Sequence, residues 1–545
     1  MTASRGVPAT PSSEPGTPSD DADGGLPEGV TPPSGDDHPG AGSAGTMRRK
    51  QVRGSALLVV GRVLTLLLTT ATQVVIVRAL TKTEFGGFAY ALALAAGGRV
   101  LLSLGQGKLL SRFMAKYEER RDYNRMFGSM ALAVGTILAT STVAIAAVYL
   151  LSDALVGSAL RDSGAMPIVL ILVFLAPLEA LDQVFISMFA VFSAPGAIFF
   201  RKYLLTPALR LGVVVALALT GSSVTFLAIG YVAAGVVGLG VSVIVFLQVL
   251  RERDLLRHLH PRSIVLPVKS VFAFSMPLIT GELLLLSFTI GGVIILGFHH
   301  TAAEVASYRA VFNPARLNTA VLGSFMPLFL PLSARLFERA DITGLREAYW
   351  HTAAFVAVLT FPIFALTGPL ADSTTVVLFG ERYADSGLVL SLLSLGYYFS
   401  TMLGFNAYTL QVCAKIRFLV GVNVSVAVLN IVLSLLLVQK YGAVGIASAN
   451  LVALVAQNSL NQWALRRAIN TAAIDRGCLQ CYLVIVACAA GLWVFEALTH
   501  PNFLLSFAAA TAASLVVLFA SRSAIELDQT FPELTRIPVI RWLVR

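Results

Sequence analysis

Charge is scarce in this chain. Only 13% of its 545 residues are Asp, Glu, Lys or Arg, while 56% are hydrophobic. Soluble globular proteins carry about 25% charged residues, and the mean hydropathy here is +0.78. The deficit excludes a soluble globular protein and indicates a polytopic membrane protein. Cysteine is equally sparse: Cys413, Cys478, Cys481 and Cys488. Cys478 and Cys481 have CxxC spacing, but no second pair or nearby histidine completes a zinc site. They are expected to be small apolar filler, with no disulfide, metal or cofactor. Long outer loops are missing as well. None exceeds about fifteen residues, too short for the outer domain or catalytic loop of a membrane glycosyltransferase, polymerase or ligase. The chain is therefore not expected to be an enzyme.

What is present begins with a tail. Up to about Thr46 the sequence is rich in Pro, Gly, Ser and Asp, with too few apolar residues to offset the entropy of ordering. It lacks the basic start and short apolar core of a signal peptide. The basic "MRRKQVR" that follows marks the cytoplasmic edge of a first span. Apolar stretches long enough to cross a bilayer fall near 55–79, 85–107, 126–151, 165–190, 198–220, 224–249 and 271–297. Others fall near 305–332, 348–371, 385–411, 417–438, 443–464, 478–498 and 503–521. The expected fold class is an all-α membrane protein of about fourteen transmembrane helices, with Pro362 and Pro369 interrupting the ninth. Lys and Arg concentrate in alternate loops, among them "KLLSRFMAKYEERRDYNR", Arg201–Lys202 and "RERDLLRHLHPRSIVLPVK". The other side keeps only Arg78, Lys82, Arg161, Arg309, Arg382 and Lys440. By the positive-inside rule both termini face the cytoplasm. The pI near 9.6 then reflects topology, and nucleic acid is not expected as a partner. Glu381 and Asp385, in an outer loop, are expected to be solvated.

The chain repeats itself at an offset of about 220. "TKTEFGGFAYA" from Thr81 matches "TAAEVASYRAV" from Thr301, and "LVGSALRDSGAMPIVL" matches "LFGERYADSGLVLSLL". Six spans separate the copies, so they share one orientation, as in transporters built from two parallel bundles with substrate between them. The expected organisation is a cytoplasmic tail (1–50), a first lobe (51–250), a cytoplasmic linker (251–270) and a second lobe (271–466). Two further spans (477–521) and a cytoplasmic tail (522–545) complete it.

The stretches "ALTKTEFGGFAYALAL", "LFGERYADSGLVLSLLSLGYY" and "AKIRFLVGVNVSVAVLNIVLSLLLVQKYGAVGIASAN" carry a resemblance over about residues 50–520. The chain resembles the polysaccharide-transport branch (O-antigen and capsule-unit flippases) of the multidrug/oligosaccharidyl-lipid/polysaccharide flippase superfamily. More remotely it is similar to the lipid II flippase. The resemblance implies translocation of an undecaprenyl-diphosphate-linked oligosaccharide across the cytoplasmic membrane by alternating access of two lobes. It also implies membrane lipids as surroundings and a polysaccharide polymerase or glycosyltransferases as partners. A cation-coupled drug exporter of the same superfamily is the alternative, but that reading prefers twelve spans and an acidic cavity.

Polar residues inside the spans fall in stripes. At 100° per residue, Arg62, Thr65, Thr69, Thr72 and Gln73 share one face of the first span. Arg99, Ser103 and Gln106 align in the second. Arg309, Asn313, Arg316, Ala320 and Gly323 align in the eighth, where Pro314 is expected to introduce a kink. Arg210 lies in the fifth span and overlies Asn430 at the repeat offset; Asn406, Asn423, Asn450 and Gln457 are further polar positions. An isolated arginine at the centre of a span costs roughly 2.5–3.5 kcal/mol on insertion scales. A diphosphate carries about two charges that cannot enter hydrocarbon unpaired, and guanidinium groups pair with it bidentately. Arg62, Arg99, Arg210, Arg309, Arg316, Gln73, Asn313 and Asn430 are the candidate substrate-binding residues. The resemblance adds that such flippases line their cavity with arginines from spans one, two and eight, a pattern that Arg62, Arg99 and Arg316 match and Arg210 does not. Glu179, Asp182 and Glu282 are acids within spans. They are candidates for H+ or Na+ coupling, or else counterions of the arginines.

Overall fold

The structure, a computed structural model, describes residues 61, 64–103, 106–150, 164–192, 195–258, 264–266, 268, 286–471 and 476–525. The expected first tail, Arg62, Glu282 and residues 526–545 lie outside the described residues. Among those described, the chain is helical and contains no strand. This is the expected consequence of crossing lipid, where every backbone N–H and C=O must be satisfied inside the segment. The first half comprises α1 (Leu64–Ala79), α2 (Lys82–Ser103), α3 (Gln106–Glu119), α4 (Tyr123–Leu150), α5 (Ala165–Val191), α6 (Gly196–Thr220) and α7 (Val224–Glu252). The second comprises α8 (Ser287–His299), α9 (Ala302–Ala315), α10 (Leu317–Glu338), α11 (Ile342–Thr367), α12 (Ala371–Phe379), α13 (Gly387–Met402), α14 (Asn406–Val412) and α15 (Ile416–Ala468). Then come α16 (Arg476–Thr499) and α17 (Phe503–Ile525).

Ten of the described helical segments are long and apolar enough to cross a membrane, eleven if the bent pair Ala302–Met326 and Leu328–Glu338 is one span. The described residues do not by themselves reach fourteen. The expected first and seventh spans are represented by the shorter apolar helices α1 and α8, and the expected starts of both lie outside the described residues. The expected eleventh and twelfth are joined in α15, which breaks at Gly442 (φ 51°), a backbone conformation that glycine adopts without penalty. Pro362 does not interrupt the ninth span; α11 runs through it and ends at Gly368. The eighth span departs from helical regularity at Arg316, two residues after Pro314. Its 51° bend lies later, between Met326 and Leu328.

Among the described residues, three apolar clusters hold the helices. One lies within α2, α3, α4, α5 and α7 and around Met126 and Phe246. Another joins α10 to α17 around Tyr349, Phe364 and Tyr482. The third draws on both halves, bringing Phe88 and Tyr90 of α2 together with Tyr308 and Phe312 of α9. At its heart α2 and α9 cross so closely that a Cβ on Gly86 would lie 1.7 Å from the Ala302 carbonyl oxygen. Only glycine fits there.

Candidate functional site

Pro314 has no N–H, so the carbonyl of Ala310 loses its helical donor. Gln73, from the polar stripe of α1, supplies another. Its Nε2 donates to Ala310 O at 2.8 Å and to Arg309 O at 3.1 Å. Its Oε1 accepts from Asn313 Nδ2, and Asn313 Oδ1 accepts from Arg309 Nη1 at 3.2 Å. This ring of bonds ties the first half of the molecule to the second. It also fixes Gln73, Arg309 and Asn313 along the wall of a cavity of about 220 Å³. Thr69 and Thr72 of α1, Arg210 of α6 and Tyr231 of α7 complete its polar lining. Both guanidinium groups lie near aromatic rings, Arg210 at 5.3 Å from the Tyr231 centroid and Arg309 at 5.4 Å from that of Phe312. Cation–π contact of this kind helps offset the cost of desolvating them.

Behind Arg210 lies an ion-pair cluster. Glu179 of α5 pairs through Oε1 with Arg210 Nη2, and through Oε2 with Arg99 Nε at 3.5 Å. One turn on, Asp182 Oδ1 accepts from Arg201 Nη2 at 2.8 Å and from Ser242 Oγ at 2.7 Å. Arg201 also donates to Ser242 Oγ through Nε at 2.6 Å and to Thr206 Oγ1 through Nη1. Arg201 counts among the cytoplasmic loop charges, although it also falls within the expected span 198–220. It sits in a π-helical turn (Phe199–Leu205) at the start of α6 and is 3% exposed, a buried partner not foreseen from the sequence. The Arg201–Lys202 pair reads as a loop signal, yet Asp182 inside a span calls for a counterion that Arg201, at the head of the next span, supplies.

Arg316 does not line this cavity. Its guanidinium lies 5.4 Å from the Phe312 centroid and 5.8 Å from that of Tyr397 on α13. Its Nε is buried with no hydrogen-bond partner among the described residues. Asn430, on α15, is also elsewhere: its Nδ2 donates to Ser287 O and Oγ at 3.2 and 3.0 Å, joining α15 to the π-helical start of α8. The structure therefore brings Gln73, Arg210, Arg309 and Asn313 together, and sets Arg99, Glu179 and Asp182 behind them.

One end of the cavity region is held shut by contacts between the halves. Arg78 donates to the carbonyls of Val377 and Leu378 at 2.5 and 3.2 Å, and Arg382 returns bonds to those of Val77 and Arg78 at 2.6 and 2.9 Å. Lys82 Nζ meets Asp385 at 2.7 Å, and Ser307 Oγ donates to the same carboxylate at 3.1 Å. Asp385 remains exposed, as expected of an outer-loop acid, and is engaged by these partners as well. Proximity in space, which hydropathy does not encode, decides which partners it meets.

A family model described as "Polysaccharide biosynthesis protein" matches residues 75–388. Among solved structures the chain is similar to the lipid II flippase MurJ in an inward closed conformation. The two are 12% identical with a TM-score of 0.64, over 88% of this chain and 100% of that one. It is also similar to an inward-facing multidrug resistance MATE family transporter of the MOP superfamily, at 14% identity and a TM-score of 0.58, over 76% of this chain and 99% of that one. At such identities the likeness is one of fold. Comparison with curated proteins yields no match.

Proposed function

This chain belongs to the polysaccharide biosynthesis protein family, and from that premise we propose that it flips an undecaprenyl-diphosphate-linked oligosaccharide from the inner to the outer leaflet of the cytoplasmic membrane. It is a multi-pass membrane protein of a flippase and transporter family, not an enzyme. The observation that carries the finer reading is the cavity between the halves, with Arg210 and Arg309 in its wall beside the amides of Gln73 and Asn313. Guanidinium groups suit the diphosphate, and amides and hydroxyls suit sugars. A pocket for a drug-sized ligand measures about 300–1,000 Å³, so 220 Å³ holds the phosphate end alone. Loading a glycan requires the halves to part.

Positive-inside bias assigns the closed Arg78–Lys82–Arg382 end to the outer face and both termini to the cytoplasm. Rocking of the halves would open that end after the headgroup is captured from the inner leaflet. A polysaccharide polymerase or glycosyltransferases would act alongside. Coupling to a proton or sodium gradient would run through Glu179, Asp182 or Glu282. A drug exporter for cationic compounds is disfavoured by the arginines in the cavity wall and by the pairing of the nearby acid, Glu179, with two arginines.

The test is binding of an undecaprenyl-diphosphate sugar to the purified protein and to alanine variants of Arg62, Arg99, Arg210, Arg309 and Arg316. A hydrogen bond to a charged group contributes about 1.5–3 kcal/mol, so loss of a direct contact should weaken binding by about 10- to 150-fold. Arg210 and Arg309 should show it most. Equal affinity throughout would remove the basis of this reading.

A further inference from the structure

We infer that Glu179 is a displaceable internal anion: it occupies Arg99 and Arg210 while the cavity is empty, and yields them to the phosphate of an arriving headgroup. The inference rests on the flippase reading above and concerns how the site takes up and gives back its ligand. It follows from the contrast between two acids one turn apart on α5. Asp182 is locked. Its oxygen is held by Arg201 and Ser242, which are 3% and 0% exposed, and Arg201 is itself held by Ser242 and Thr206.

Glu179 has no such enclosure. Its side chain is 26% exposed, and those of its partners Arg99 and Arg210 are 35% and 31% exposed. The contact to Arg99 is long, at 3.5 Å. Arg210 is shared between the wall of the 220 Å³ cavity and a small crevice that Glu179 lines. A carboxylate on two accessible guanidinium groups occupies the geometry a phosphate would take. A diphosphate brings more charge and more acceptor oxygens than one carboxylate, so it can displace Glu179 from these arginines. The return of the carboxylate would then compete the headgroup off.

This makes Glu179 a positioning residue with an unusual signature: its neutralisation should strengthen binding and slow transport. The probe is a short-chain prenyl-diphosphate monosaccharide, measured on the full-length protein in detergent and, for transport, in vesicles. Glu179→Gln should bind it about fivefold more tightly than wild type, a modest gain for freed charge-assisted contacts. It should flip more slowly, with KM and kcat falling together. The gain should vanish when Arg99 and Arg210 are both replaced by alanine. Glu179→Asp, which keeps the charge, should behave like wild type or lie between the two, and it carries the comparison if the glutamine variant folds poorly. If wild type binds the probe and Arg309→Ala loses it, while Glu179→Gln binds no tighter, the flippase reading stands and this inference is overturned. Failure of wild type and Glu179→Gln alike to bind overturns both.

Discussion

Asp182 and Gln73 answer the same demand, a polar group inside a span that must find a partner, and the cost of removing each differs. Asp182→Asn would strand Arg201, which is 3% exposed, and breaking a buried pair typically costs about 3–5 kcal/mol. We expect a sharply lower thermal midpoint and poor yield for this variant. Replacing Arg201 and Asp182 together with Met and Leu should recover much of the loss, because no charge is left buried. Wild-type stability in Asp182→Asn would show that Arg201 is satisfied in some other way. Gln73→Ala leaves the Ala310 carbonyl, already deprived by Pro314, without its replacement donor, a loss of about 1–3 kcal/mol. Both the Gln73 stripe and the proline are plain in the sequence. Their pairing is not, because helical periodicity assigns a face and says nothing of which helix stands opposite.

At the level of elements, the crossing of α2 with α9 and the contacts around Lys82 govern whether the halves can part at that end. The Lys82–Asp385 pair is half open to solvent, with Asp385 59% exposed, so it is worth about 0–1 kcal/mol. Lys82→Asp should therefore shift the balance between closed and open forms by no more than about fivefold, and the exchange Lys82→Asp with Asp385→Lys should restore it. Gly86→Val is a different matter. Its Cβ would lie 1.7 Å from Ala302 O, which the closed crossing cannot accommodate. Spin-label distances across this end should lengthen markedly in Gly86→Val and little in Lys82→Asp. Unchanged distances in the valine variant would mean that the crossing does not set the closed state. The repeat signal in the sequence places the two helix starts, Lys82 and Ala302, in register. That the two starts pack against each other is a matter of tertiary assembly.

For the molecule as a whole, the acidic, proline-rich segment at residues 1–46 carries no core-forming pattern and is not expected to contribute to the bundle. Its deletion should leave export in vesicles unchanged; loss of export at normal membrane levels would assign it a role in transport. The apolar clusters supply the cohesion of the described bundle. Among the described residues, one packs within the first half, one within the second and one across both, drawing on Val74 and residues beyond it.

Class, helical architecture and the positions of intramembrane charge were determined by the sequence alone, since hydrocarbon admits only apolar, internally hydrogen-bonded spans and makes each arginine within one conspicuous. Partnership was decided only by tertiary structure, and the two T-x-x-E motifs show the reason. In the first, Thr81 N–H donates to Glu84 Oε2 at 2.9 Å and Glu84 N–H to Thr81 Oγ1 at 3.3 Å, a capping box closed on itself. In the second, Glu304 instead pairs with His300 Nδ1 at 3.0 Å and takes the Ala443 N–H at 3.3 Å, where α15 breaks at Gly442. The local signal is the same in both. A hydrogen bond forms with whichever donor lies within about 3 Å, and in the second copy a helix some 140 residues away supplies one.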